Sequence, residues 1–210
     1  DPALPSGTDR VFAALKAAPG SGQDATTDKV FYLTAKTPGR QLALDALATL
    51  TQADTPRAIP LRVLERVARD KACEHPDKAC YGESCPLARG FYDRLPAART
   101  AAAQAGRLDK TALREVALAH SVCPYYLGQE MLRWSDVAVG DFNHFFDHGA
   151  AWHALTEANE WRVSLLVDEA HNLIERARLM HSATLDPAAF QALRQSAPAA
   201  LKKPLEKLQR

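Results

Sequence analysis

The chain has 210 residues and a mass of 22.9 kDa, enough to bury a sizeable core and too long for a peptide hormone or a short metal finger. With 47% hydrophobic, 24% charged and 7% aromatic residues, the composition is globular and excludes global disorder. The formal net charge of +1, from 26 Lys and Arg against 25 Asp and Glu, argues neither for nor against a polyanionic partner.

The pattern along the chain says more. Residues 1–9 are turn-rich, Arg10 to Ala18 reads as a short helix, and Pro19 to Asp28 as a flexible stretch. Val30-Phe-Tyr-Leu-Thr34 is a β-branched and aromatic run short enough for a buried strand. Pro38-Gly39 turns the chain, and Arg40 to Leu50 spaces leucine and alanine as a helix does. Strand, loop and helix in that order are the unit of parallel α/β sheets. Ile59 to Val67 is apolar but ambiguous, and Ala72 to Ser84 is too poor in apolar residues to build a core. Helical patterns return at Leu87 to Gln104, at Lys110 to His120 behind an Asp109 N-cap, and at Pro124 to Trp134. Val137 to Val139 and Val163 to Val167 read as strands, and the chain from Asn172 onward as helix broken at Pro187, Pro198 and Pro204.

Charge is divided along this order. Residues 57–114 carry 12 basic and 7 acidic side chains, whereas residues 136–175 carry 8 acidic ones and only Arg162. Such runs are usually solvated faces; the functional alternative gives the basic part to phosphate backbones and part of the acidic one to a divalent cation. No window approaches 18 apolar residues, and residues 1–20 lack the zones of a secretory signal. The expectation is a cytoplasmic chain with no membrane partner.

Cys73, Cys80, Cys85 and Cys123 fall in or after the coreless stretch, three of them within 13 residues. Disulfides suit small secreted proteins better than this chain. Four thiolates can instead hold zinc or an iron–sulphur cluster. Paired C-x2-C knuckles are missing, and Pro86 and Pro124 directly follow cysteines; both points lean toward a 4Fe-4S cluster, with zinc the alternative. His75 and His120 lie near enough in sequence to be alternative ligands. A bound metal would organise residues 71–86, because its binding energy becomes folding energy.

Leu165-Leu-Val167 delivers Asp168 and Glu169 to a strand's carboxyl end, where open α/β sheets bind ligands. In nucleotide hydrolysis one carboxylate holds Mg²⁺ and a neighbour orients the attacking water; Asp168 fits the first role and Glu169 the second. His171 can relay nucleotide state to bound nucleic acid. The bland reading is an acidic helix start favoured by the helix dipole.

In order, Leu33-Thr-Ala-Lys-Thr37, four cysteines, Asp136-Val-Ala-Val-Gly-Asp-Phe-Asn-His-Phe-Phe146 and Asp168-Glu-Ala-His-Asn-Leu173 resemble the iron–sulphur superfamily-two DNA helicases, a DEAH-box, DEAD2-like group that includes the xeroderma pigmentosum group D helicase, DinG and YoaA. The resemblance spans roughly residues 10–182. It implies a partial RecA-like parallel sheet interrupted by a helical iron–sulphur domain: residues 1–56 and 132–175 in the RecA-like domain, 57–131 in the cluster domain, and 176–210 opening a helical arch. It implies that Thr34, Lys36 and Thr37 contact the DNA backbone, with Asn143 and His144 in the loop after the cluster domain. It also implies ATP, Mg²⁺ and single-stranded or forked DNA as ligands, and a role in DNA repair or replication.

One departure stands out. The phosphate-binding loop Gly-x-Gly-Lys-Thr has no counterpart, the corresponding stretch reading Pro5-Ser-Gly-Thr-Asp-Arg10, and a second RecA-like domain is missing. The expectation is therefore an excerpt or truncated form of an ATP-dependent helicase. The alternative is an inactive, cluster-stabilised module that binds DNA or a protein partner.

Overall fold

A computed structural model of the chain describes residues 27–51, 60–147 and 149–207. The expected Arg10–Ala18 helix and the Pro5–Arg10 stretch lie outside them. The chain divides into two compact units, meeting between Ala170 and His171.

The first unit is built on a parallel sheet ordered β3-β2-β4-β1-β5. Its strands are β1 (Lys29–Leu33), β2 (Val63–Glu65), β3 (Arg107–Leu108), β4 (Val137–Gly140) and β5 (Val163–Val167). β1 and β4 are buried along their whole length, which is why they read as continuous apolar runs without alternation. Register runs Val30 to Val137 through Leu33 to Gly140 on one side of β1, and Lys29 to Val163 through Leu33 to Val167 on the other. β2 pairs with β4 from Val63 opposite Val137 to Glu65 opposite Val139. So β2 and β3, although within residues 57–131, belong to the sheet.

Helix α1 (Thr37–Thr51) covers one face, packing Ala43, Leu44 and Leu47 on Val30, Tyr32, Val63, Val137 and Val139. Phe31 points to the other face, where its ring lies 4.8 Å from that of Trp152 in α7 (Ala151–Ala158). After β2 come the short α2 (Arg69–Ala72), then α3 (Phe91–Ala105), α4 (Lys110–Ala119) and α5 (Pro124–Met131). The last three pack on one another, and α5 also packs on β2. Asp109 caps α4 as its position suggested, accepting from the N–H groups of Thr111 and Ala112. α3 begins at Phe91 rather than Leu87, because Gly90 takes a left-handed φ of 60° that a helix interior does not admit. The aromatic Phe142–Phe146 segment forms the single turn α6 (Asn143–Phe146).

The second unit holds α8 (Asn172–Met180), α9 (Pro187–Ser196) and α10 (Ala199–Lys207). Pro187 opens α9 at a first-turn position behind the Asp186 cap. Pro204, expected to break a helix, lies inside α10; it withholds its own hydrogen bond without ending the helix.

Candidate functional site

At the carboxyl edge of the sheet three sequence segments meet. The Asp168 N–H donates to the Leu33 carbonyl at 2.9 Å, which seats Asp168 beside the end of β1. There the Thr34 hydroxyl, on a residue only 1% exposed, donates to Asp168 Oδ2 at 3.2 Å. Gly39 in the first turn of α1 closes this corner: a Cβ on it would stand 2.5 Å from Thr34 Oγ1 and 2.8 Å from Asp168 Oδ2. Only a residue without a side chain lets the start of α1 come this near the carboxylate. Glu169 takes a left-handed φ of 53°, costing a non-glycine residue roughly 1–2 kcal/mol, and is exposed. His171 opens the second unit and is exposed.

The residues expected to touch DNA divide in two. Lys36, Thr37 and Asn143 are exposed. Thr34 is buried against Asp168, and His144 is turned inward, its ring stacked on Trp152 at 5.2 Å and 15°. Gly140 makes that stack possible, because a Cβ there would lie 2.8 Å from the His144 ring and 2.9 Å from that of Trp152. Burial pushes the His144 imidazole down to about 4; Arg66 and Arg40 add to the effect and Asp141 opposes it.

The cysteine segment is held by turns. Cys73 N–H donates to Arg69 O, Cys85 N–H to Tyr81 O, and Ala88 and Arg89 N–H both to Cys85 O. Glu74 and Arg114 form a bidentate pair at 2.6 and 2.8 Å that ties the segment to α4. Cys123 is the N-cap residue of α5, with Pro124 at the first helical position. All four cysteines are free of disulfides. Burial raises the Cys123 thiol. Among the described residues no three His, Cys, Asp or Glu side chains are grouped as the donors of one metal ion would be. The four thiols have the chemistry of a thiolate-bound centre, but the structure does not group them as its ligands.

Sequence reasoning missed Gly39, Arg40, Glu65 and Arg66. Arg40 and Arg66 are 9% and 3% exposed, and charges buried so deeply need partners. Nothing in the local pattern marks them.

Parallel strands ending at a carboxylate, with a helix starting against it, are consistent with a partial RecA-like fold. The DEAD_2 family model matches residues 60–190, more than half of the chain, and the chain belongs to that family. Among solved structures it is similar to "XPD_Helicase", with a TM-score of 0.50 and 15% identity over 98% of this chain and 35% of that one. The fold is thus that of part of an XPD-type helicase, and the chain spans about a third of that structure's length. A search of curated proteins gives no match. No helix among the described residues is long and apolar enough to cross a membrane.

Proposed function

We propose that the chain is part of an ATP-dependent DNA helicase that travels on single-stranded DNA, in repair or replication. The observation that carries this is the corner where Thr34, Gly39 and Asp168 converge at the carboxyl edge of the sheet. A hydroxyl donor holds the Asp168 carboxylate in place and leaves its charge for a cation; Asp168 is the ligand of Mg²⁺ and Glu169 the group that orients the attacking water. When bound, Mg²⁺-ATP supplies the phosphoryl group and neutralises its charge. Thr34 positions Asp168 from within, while Lys36, Thr37 and Asn143 are the outward residues suited to phosphate contacts. Exposed Tyr92 and Tyr126 line a groove of about 510 Å³ together with Phe91 and the ion pair of Glu130 with Arg133, and its aromatic rings suit stacking of unpaired bases.

Cys73, Cys80, Cys85 and Cys123 hold a 4Fe-4S cluster, which fixes the segment that lacks an apolar core. Zinc is the alternative occupant of the same thiols. Anaerobic purification tests this directly: a brown protein with iron and acid-labile sulphide supports it, and a colourless zinc protein sinks it. Salt-dependent affinity for a dT oligonucleotide tests the DNA reading, and no binding at low salt removes it. If Glu169→Gln leaves ATP hydrolysis intact in the complete enzyme, Glu169 is not the water-orienting group and the reading of an inactive binding module gains.

A further inference from the structure

Phosphate contacts alone do not favour an unpaired strand, because a duplex presents about twice the charge per length of either of its strands. What an unpaired strand offers and a duplex hides is the open face of its bases. The groove between α3, α5 and α7 has the walls to meet that face. Gly90, in its left-handed conformation, sets Phe91 and Tyr92 at the start of α3, and Tyr92 is 83% exposed against 37% for Tyr126 of α5. The Phe91 ring meets both at a steep angle, its centroid 5.4 Å from that of Tyr92 and 6.0 Å from that of Tyr126. Edge contacts of this kind do not use up the ring faces as stacking them on one another would. Ala151, Ala154 and Ala158 of α7 also line the groove, and their short side chains leave it width for a flat ring.

Charge at one end of the groove is not balanced. Glu130 pairs with Arg99 at 3.2 Å and with Arg133 at 3.3 Å, so a single carboxylate answers two guanidiniums. Arg99 is held over the Trp134 ring, 4.9 Å from its centroid, and Arg89, two residues before Phe91, bonds to the Gly82 carbonyl rather than to a carboxylate. Aromatic faces beside surplus positive charge complement a strand of flat bases on an anionic backbone; an apolar peptide would leave that charge unanswered. We propose that Phe91, Tyr92 and Tyr126 are specificity-determining residues that make the chain select unpaired over paired DNA, stacking on base faces while Arg99 and Arg133 meet the adjoining phosphate. Such stacking tolerates any base, so the preference is for unpaired nucleotides as a class. The proposal rests on the DNA binding proposed above and adds to it the origin of the single-strand preference.

Its test compares three ligands of equal length at one low salt concentration, by fluorescence anisotropy with the full chain: a dT oligonucleotide, the same strand without bases, and a blunt duplex. The parent chain is expected to bind dT at least about five-fold more tightly than either of the others, the lower end of what one stacked base supplies. In the Tyr92→Ala, Tyr126→Ala double variant both preferences fall below about two-fold, because the phosphate contacts that remain do not distinguish the ligands in this sense. The Tyr92→Phe, Tyr126→Phe variant keeps the rings and keeps both preferences. A parent without these preferences, an alanine variant that retains them, or a phenylalanine variant that loses them overturns the proposal. A parent that binds none of the three ligands overturns instead the function on which it rests. Where far-UV circular dichroism shows the double alanine variant unfolded, Tyr92→Ala alone, at a ring too exposed for its loss to disturb folding, takes its place and must lower both preferences at least about two-fold.

Discussion

The two ends of the parallel sheet use the same residue types to opposite effect. Where the strands begin, Asp28 accepts from the Arg162 backbone N–H at 2.7 Å and from its guanidinium, which hold its carboxyl below the usual range. Asp136 is treated alike: burial alone would raise it, yet the side chain and backbone N–H of Arg62 carry it below that range. Where the strands finish, Asp168 is met by the neutral Thr34 hydroxyl. On the function proposed above, the carboxylates answered by arginine are part of the scaffold, and Asp168, answered by a hydroxyl, is the one that would hold a cation. In the complete enzyme Asp168→Asn is therefore expected to slow DNA-stimulated ATP hydrolysis on the order of 10³-fold, about 4 kcal/mol of barrier, and Asp136→Asn by less than about two-fold. Equal losses in steady-state assays would erase the distinction.

The same two ends each bury a base. Lys29, 7% exposed at the start of β1, donates to the carbonyls of Ser135 at 2.6 Å and Arg133 at 3.1 Å, and burial lowers it to about 8. His144, beyond the end of β4, is lowered to about 4. In both cases the unfolded chain binds the proton more tightly than the folded one, so stability rises with pH across the gap. For His144 the gap runs from about 4 up to the ordinary 6.5, and stability is lost as pH falls through it. For Lys29 it runs from about 8 up to 10.5, and stability is gained as pH rises through it. Each full gap is worth about 3 kcal/mol. Urea midpoints against pH should show the acid slope reduced in His144→Phe and the alkaline slope reduced in Lys29→Met. Slopes parallel to the parent would mean that these bases are not buried as described.

What was legible in the sequence follows this contrast. The central strands were readable because burial on both faces demands β-branched and aromatic runs, and the position of Asp168 was readable because it follows the short apolar run of the edge strand β5. β3, two residues long, has no pattern to read, and α7 is only eight residues long with Trp152 its one buried residue. In the Ala72–Ser84 stretch, the turns and bends agree with the lack of helical period in the sequence. The inward side of the site was hidden. Thr34 and Lys36 look equally polar in sequence, yet one is buried against a carboxylate and the other is exposed. That difference is set by the close approach of α1 at Gly39, a tertiary contact that no local pattern records. Arg40 and Arg66 were hidden for the same reason, since their partners Glu65 and Tyr125 come from other elements.

Gly39 allows the contrast to be broken from the site end. Gly39→Ala places a methyl group between Thr34 and Asp168, at distances of 2.5 and 2.8 Å from their oxygens, and one of the three must move. Overpacking of this kind costs about 2 kcal/mol, measurable as a lower urea midpoint at constant slope; an unchanged midpoint would show that the helix start can retreat freely. At the other end Arg62→Ala strands Asp136, but the pair is 48% and 31% exposed, so water takes over much of what the guanidinium supplied. The loss should stay below about 1 kcal/mol and shrink in high salt, which screens an exposed pair far more than a steric contact. Midpoints taken at low and high salt thus separate the two ends: the deficit of Arg62→Ala narrows as salt rises, while that of Gly39→Ala holds, because a methyl group pressed against two oxygens is not relieved by counterions.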